Sequence, residues 1–459
     1  MKNVFTIPVI CLLLTLTSGC SKDFLKENPR TDLVIPSTYK EMQALLDDDI
    51  SMNVTPAMGE ISADNYYLTG DYWQTLLLNH ERNCYIWQPD IYEGQPNVDD
   101  WSLSYTQVLH ANVVLEALET LEKKGSLDTE GKNLKGMALF FRANAFYNLA
   151  QQFAPPYNSQ TAQNDLGIPL RTSSDISNKF PRASVEATYN HILSDLSVAE
   201  ELISPNVEYS YKNRPSKPAV YGLKARVYLS MHNYPKALEY SDMALHLYDS
   251  LLDFNDLDTL VLNPIKRENS EVIFQSRFVD NNILSAVAFP DVIVDSNLYK
   301  SYKEGDLRRS IYYFKGFTGN MNLKASFSGS FFPFTGIATG ELLLIKAECM
   351  ARAGNYEEAL AQLNKLVITR FKSGQFIPYT ASSIEEALNI ILEERRKELA
   401  FRGIRWTDLR RLNQEGFNIT LQRNLNAQTY MLLPNSKLYV LPIPPDVLAQ
   451  SGIPDNIRQ

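Results

Sequence analysis

Apolar residues return at helical spacing over several long segments of the chain, and this periodicity is the first guide to its fold. From Trp101 to Leu121 the residues Tyr105, Val108, Leu109, Val113, Leu115, Leu118 and Leu121 fall on one stripe, and Leu134 to Phe153 repeats the pattern. The two segments predict an antiparallel helix pair. A short helix is predicted over Tyr39 to Leu46. Beyond a loop rich in Pro, Asn and Gln, further helices are predicted over Val185 to Ile203 and Lys217 to His232.

Sliding the chain against itself uncovers an internal repeat. Leu223-Lys224-Ala225-Arg226-Val227-Tyr228 leads into Asn233-Tyr234-Pro235-Lys236-Ala237-Leu238. At the same spacing, Ile345-Lys346-Ala347-Glu348-Cys349-Met350 leads into Asn355-Tyr356-Glu357-Glu358-Ala359-Leu360. Each copy reads as helix, tight turn, helix, with alanines where helices approach closely and a tyrosine after the turn. That is the logic of tetratricopeptide repeats. The predicted fold class is mainly α: a tetratricopeptide-like helical-repeat superhelix packed against an irregular, loop-rich lobe with a few short strands.

Two stretches depart from this periodicity. About 270–337, and most clearly Phe274 to Phe334, is rich in Gly and aromatics, including Tyr299, Tyr302, Tyr312, Tyr313, Phe314, Phe327, Phe331 and Phe332. It reads as an insertion of loops and short strands, the kind of segment that carries binding in a repeat scaffold. A last long helix, Ile384 to Phe401, holds the run Glu393-Glu394-Arg395-Arg396-Lys397-Glu398, with Glu393 and Lys397 spaced for an i,i+4 contact. Such a run reads as a solvated face with no catalytic role. Gly403 then permits a stop before Trp406, Leu409 and Leu412 form another apolar face.

The chain has 459 residues, 44% of them hydrophobic, enough to bury one large core or two modest ones and to exclude a disordered chain. Its net charge of −9 argues against a phosphate-neutralising, nucleic-acid-binding surface. The N-terminus changes the picture most. Lys2 and the apolar Val4 to Leu16 read as a leader peptide, too short to span a bilayer as a mature helix, and Leu16-Thr17-Ser18-Gly19-Cys20 resembles a bacterial lipobox. Thr17 stands where leucine is commoner. Cleavage before Cys20 would free its sulfur for diacylglycerol, giving a signal peptide at 1–19, a lipidated tether at 20–36 and a single domain at 37–459. In that domain the helical repeats occupy about 99–250 and 338–415. Of four cysteines, Cys11 leaves with the leader and Cys20 takes the lipid, so Cys84 and Cys349 are the pair available for a disulfide. Cys349 reads as a small buried residue on a helix.

Four segments, beginning at Phe141, Ala183, Glu394 and Leu441, together resemble the SusD/RagB family of outer-membrane nutrient-binding lipoproteins. Phe141-Arg142-Ala143 through Tyr147-Asn148-Leu149 resembles its first repeat, and Ala183-Ser184-Val185-Glu186 through Asp195-Leu196 the start of its second. The most specific piece is Glu394-Arg395-Arg396-Lys397-Glu398-Leu399-Ala400-Phe401-Arg402-Gly403 with Arg405-Trp406-Asp408-Leu409-Arg410-Arg411. Arg402 departs from the acidic residue often seen before that glycine. Leu441-Pro442-Ile443-Pro444 fits the closing segment, although the asparagine-proline-glycine ending is missing. The resemblance implies a surface-exposed lipoprotein that captures a glycan, or a peptide, and hands it to a SusC-like TonB-dependent transporter. Lys22 and Asp23 loosely resemble a surface-export signal.

Catalytic arrangements are scarce. His80-Glu81 is followed by Cys84 where a zincin needs a second histidine, and the chain has five histidines in all. No phosphate-cradling loop or nucleophile elbow is present, so no cofactor, metal or catalytic residue is assigned. Asp64 with Asp71, or Asp253 with Asp256, could form the carboxylate pair of a surface glycoside hydrolase, and a pure assembly scaffold is a third reading. Binding fits better, because sugar rings stack their C–H faces on aromatics while their hydroxyls need Asn, Asp or Arg. Asp64, Asn65, Tyr66, Tyr67, Trp73, Arg82, Tyr85 and Trp87 form one candidate cluster, and Tyr299 and Tyr302 of the insertion a second.

Overall fold

A computed structural model describes residues 36–284, 290–324, 327–329 and 332–458. The leader, Cys20, Lys22, Asp23, the tether as far as residue 35, and Phe331 lie outside the described residues.

Helix α1, Tyr39–Leu46, starts at a capping box in which Thr38 and Glu41 each satisfy the other's backbone N–H. The long pair α2, Asp99–Glu122, and α3, Thr129–Phe153, pack along each other. Asp128 caps α3 by accepting from Gly131 N at 2.9 Å, so the helix begins a turn before its apolar stripe does. Helix α4, Val185–Leu202, lies against α3. Arg142 on α3 binds Asp195 on α4 with two bonds of 2.8 Å. Two residues that carried the family resemblance are thus a structural clamp between helices.

The repeat takes the predicted form. Its first copy is α5, Lys217–Ser230, with α6, Tyr234–Leu247. Strand β1, Tyr66–Leu68, which lies between α1 and α2 in the chain, pairs antiparallel with β2, Val292–Val294, which follows α6, with Tyr67 opposite Ile293, and so draws the insertion onto the N-terminal segment. The short α7, Ser296–Ser301, follows β2, and the second repeat copy is α8, Thr339–Arg352, with α9, Tyr356–Val367. Ala225, Ala237, Ala347 and Ala359 are all fully buried where the helices meet, and α6 stacks on α8. Equivalent turn positions hold His232 at φ 58° and Gly354 at φ 95°. A left-handed residue is needed there, which glycine supplies at little cost and histidine does not.

Helix α10, Ile384–Glu398, overturns the solvated reading of the charged run. Glu394, Arg395, Lys397 and Glu398 are each 1–2% exposed, Arg396 is half-buried, and of the run only Glu393 is exposed, 3.8 Å from Lys397 as its i,i+4 spacing predicts. Their partners come from remote segments. Arg308 bonds Asp306 at 2.7 Å, Glu394 at 2.7 Å and Glu398 at 3.1 Å. Arg370 joins Glu398 at 2.9 Å to Glu271 at 2.8 Å. On helix α11, Arg405–Gln414, Asp408 accepts from Arg395 at 2.9 Å and from Arg411 at 2.8 Å. Arg411 also reaches Glu348 of the second repeat. Ions are tolerated inside because each has a partner at hydrogen-bond distance; unpaired, each would cost several kcal/mol, by a rough general estimate. The expected end of α10 at Phe401 also moves back to Glu398, since Phe401 takes φ 61° and cannot continue the helix.

After α11 comes the hairpin β3, Leu421–Leu425, and β4, Gln428–Leu432, and a last short helix, Pro445–Ser451, follows it. Leu421 and Leu432 pack with Ala63, Trp87, Trp406, Leu409 and Tyr439 in a small satellite core beside the main one. Cys84 and Cys349 are buried and free, so the available pair does not form a disulfide. Burial pushes both thiols up to about 12. Among the described residues, no helix is long and apolar enough to cross a membrane.

Candidate functional site

The β1–β2 pairing brings the two predicted clusters side by side. Asp64 precedes β1, and Asp295 follows β2 and caps α7 by accepting from Leu298 N at 2.8 Å. Arg396 of α10 bridges the two carboxylates, 3.2 Å from Asp64 and 3.5 Å from Asp295. Arg405 adds a two-pronged bond to Asp64, at 2.6 and 2.9 Å. Burial alone would raise the Asp64 pKa, but Arg405 and Arg396 overcome it and hold the carboxyl well below the usual range. Neighbouring Glu60 is fully buried, accepting from Asn65 Nδ2 at 2.8 Å and from Gly403 N at 3.2 Å, and is pushed up to about 7, first by burial.

Around this polar bed, Tyr67 is 38% exposed, the most open aromatic of the predicted set. Tyr299 of α7 is half-buried, with the Arg309 guanidinium 5.0 Å from its ring and Tyr313 edge-on at 5.8 Å. Trp73 is half-buried and donates its indole N–H to Arg82 O at 2.9 Å. Arg82, also half-buried, bonds Asn79 at 2.9 Å and lies 3.7 Å from Glu93. Tyr67, Tyr299 and the Asp64–Arg396–Asp295 bridge offer partly open rings, a carboxylate pair and a guanidinium donor, the mixture that a polyhydroxylated ligand needs.

The other five predicted residues are interior, and their expected contact with ligand is corrected. Asn65 is fully buried against Glu60. Tyr66 donates to Ile61 O at 2.9 Å, Tyr85 accepts from Leu68 N at 2.7 Å, and Trp87 donates to Ser62 O at 3.0 Å. Their rings surround Arg423 of β3, whose guanidinium lies 4.2 Å from Tyr85, 5.3 Å from Trp87 and 5.4 Å from Tyr66. Arg423 also donates to the carbonyls of Tyr85, Tyr66 and Ala63. The aromatic cage is real, but the protein's own arginine fills it. Tyr302 is buried too, donating to Lys397 O at 2.8 Å and touching Tyr313 OH at 2.9 Å. Asp295, Arg309, Arg396 and Arg405 were missed as site residues, because nothing in their local spacing separates them from charges on an ordinary helix face. Among the described residues, no group of three or more His, Cys, Asp or Glu is arranged to hold a metal ion.

Fold and face together define a helical-repeat protein with a loop-rich lobe that presents a mixed aromatic and charged surface. A SusD-like family model described as "Starch-binding associating with outer membrane" matches residues 23–229, and the SusD family model matches residues 287–452. The chain belongs to the SusD/RagB family. It is 24% identical to the SusD-like protein P2 of Formosa agariphila, an alignment covering 98% of this chain and 99% of that one. In fold it is similar to a SusD superfamily protein of Bacteroides thetaiotaomicron, with a TM-score of 0.73 at 20% identity, over 91% of this chain and 99% of the other. It is also similar to surface glycan-binding protein A of Bacteroides fluxus, with a TM-score of 0.69 at 19% identity, over 92% and 99%.

Proposed function

We propose that this chain is a noncatalytic, lipid-anchored capture protein of the outer-membrane surface that binds a glycan and delivers it to a SusC-like TonB-dependent transporter. The observation that carries the reading is the exposed Tyr67 beside the Asp64–Arg396–Asp295 bridge, with Tyr299 on the adjoining helix. A ring face open to water can stack on a sugar, and the carboxylates and guanidinium nearby can take up its hydroxyls. Family membership supports the location, and the name of the B. fluxus relative supports a glycan over a peptide. Cys20 supplies the anchor in this reading, each buried methylene of its acyl chains contributing about 0.8 kcal/mol. Modest affinity is sufficient, because a ligand enclosed over a transporter mouth faces a high effective concentration.

Calorimetric titration of the purified protein with panels of oligosaccharides and of peptides tests the proposal. Saturable heat with a glycan family is the expected result, and no binding across both panels overturns it. Sugar released during the same titrations would favour a hydrolase. Co-purification with a transporter but no ligand would favour a scaffold.

A further inference from the structure

Arg402, the residue at which the chain departs from its family's acidic pattern, is 5% exposed and has no carboxylate at ion-pair distance among the described residues. Its guanidinium sits between two rings, 4.9 Å from Phe327 and 4.8 Å from Phe334, and both terminal nitrogens lack a hydrogen-bond partner. A buried arginine without a carboxylate can still be satisfied: Arg410, whose pKa burial lowers, donates its terminal nitrogens to the carbonyls of Gln151 and Ala154. Arg226 and Arg308 are buried as completely, yet their carboxylate partners overcome burial and raise their pKa, whereas burial wins at Arg402 and lowers it. The acids nearest in charge, Glu341, Glu398 and Glu271, are already bonded to Arg226, Arg308 and Arg370.

Arg402 lines a cavity of about 20 Å³ for the centre of a water-sized sphere, shared with Tyr147, Asn148, Gln152, Thr335 and Trp406. All six residues bring buried polar atoms without partners: Tyr147 OH, Asn148 Nδ2, Gln152 Oε1, Thr335 Oγ1, Trp406 Nε1 and the two Arg402 nitrogens. Gln152 and Trp406 are neighbours, both within about 3 Å of where a Cβ on Gly59 would lie. Arginine and tryptophan donate only, and the two hydroxyls can turn to donate as well. Pairing Trp406 with Gln152 would still leave the guanidinium unanswered. A space this size admits one small occupant, and the lining needs that occupant to accept.

We propose that this cavity is a structural binding site for a small monovalent anion of halide size, created by the arginine at position 402. The anion gives the buried guanidinium the counter-charge that its neighbours obtain from glutamate, and it ties α3 to the turn between α10 and α11. Crystals of the purified protein soaked in bromide and measured at the bromine edge should give an anomalous peak between Arg402 and Trp406. In solution, the thermal midpoint should rise saturably, on the order of 2 °C, in chloride or bromide relative to gluconate at equal ionic strength. Arg402→Met should abolish that difference. Trp406→Phe, which keeps a ring but removes one donor, should shift half-saturation to about tenfold more halide. A cavity holding water without a bromine signal, together with equal midpoints in halide and gluconate, would overturn the proposal.

Discussion

Two regions of this protein combine tyrosine rings with guanidinium groups, and they do so with opposite sides toward water. Around Arg423, the rings of Tyr66, Tyr85 and Trp87 close over the cation, and the backbone carbonyls of three residues use its N–H groups. At the β1–β2 edge, Tyr67 stays open, Arg309 rests on Tyr299, and Arg396 spans two carboxylates that remain partly accessible. Both set aromatic rings against a guanidinium, although only the edge adds carboxylates. What separates them is whether a distant strand, β3, reaches in to fill the cage. An enclosed cage contributes to stability; an open edge leaves binding capacity for a ligand.

The comparison can be broken most severely from the inside. Arg308→Met leaves Asp306, Glu394 and Glu398 without their shared cation, and a loss of about 3–5 kcal/mol is expected in denaturant unfolding. Arg423→Leu empties the aromatic cage and strips three carbonyls of a charged donor, for an expected loss of about 2–4 kcal/mol by the same measurement. A smaller effect sharpens the comparison through pH. Glu60 has its folded pKa raised to about 7 from 4.5, so its protonated form is the one the fold favours. Its contribution is full below about 4.5 and is lost as pH rises through about 7. Asp64 runs the other way, its depressed pKa giving stability that is present above 3.8 and lost as pH falls below it. Glu60→Gln should make the decline in stability between about pH 4.5 and 7 shallower, the remainder coming from Asp100 and Glu415, whose pKa values are also raised, while the acid limb to which Asp64 contributes stays in place.

Much of the scaffold was legible in the pattern of apolar residues. The stripe from Trp101 to Leu121 lies within the observed Asp99–Glu122, and the paired alanines of the repeat mark the helix contacts they were assigned. These features follow from period and size, which are local. The turn at Met231 and His232 ends α5 two residues early, since histidine there takes φ 58°. The burial of the α10 charges was not legible, because Arg308, Arg370 and Glu271 lie far from them in sequence. The candidate face was half legible for a related reason. Tyr66 and Tyr67 are adjacent on a strand and point to opposite sides, one 1% and the other 38% exposed. Tyr85 and Trp87 have no such period to sort them, and only the approach of Arg423 shows them to be interior.

The smallest expected effect on stability is also the most informative. Tyr67→Ala combined with Tyr299→Ala trims partly open rings, and it should alter unfolding by only about 1 kcal/mol. Titrating this double variant against the wild-type protein, with the oligosaccharide the wild type binds best, tests directly whether the open edge is the capture surface. The account predicts an unchanged fold and at least about a tenfold loss of affinity, the equivalent of 1.4 kcal/mol. Undiminished affinity in a folded double variant would contradict it.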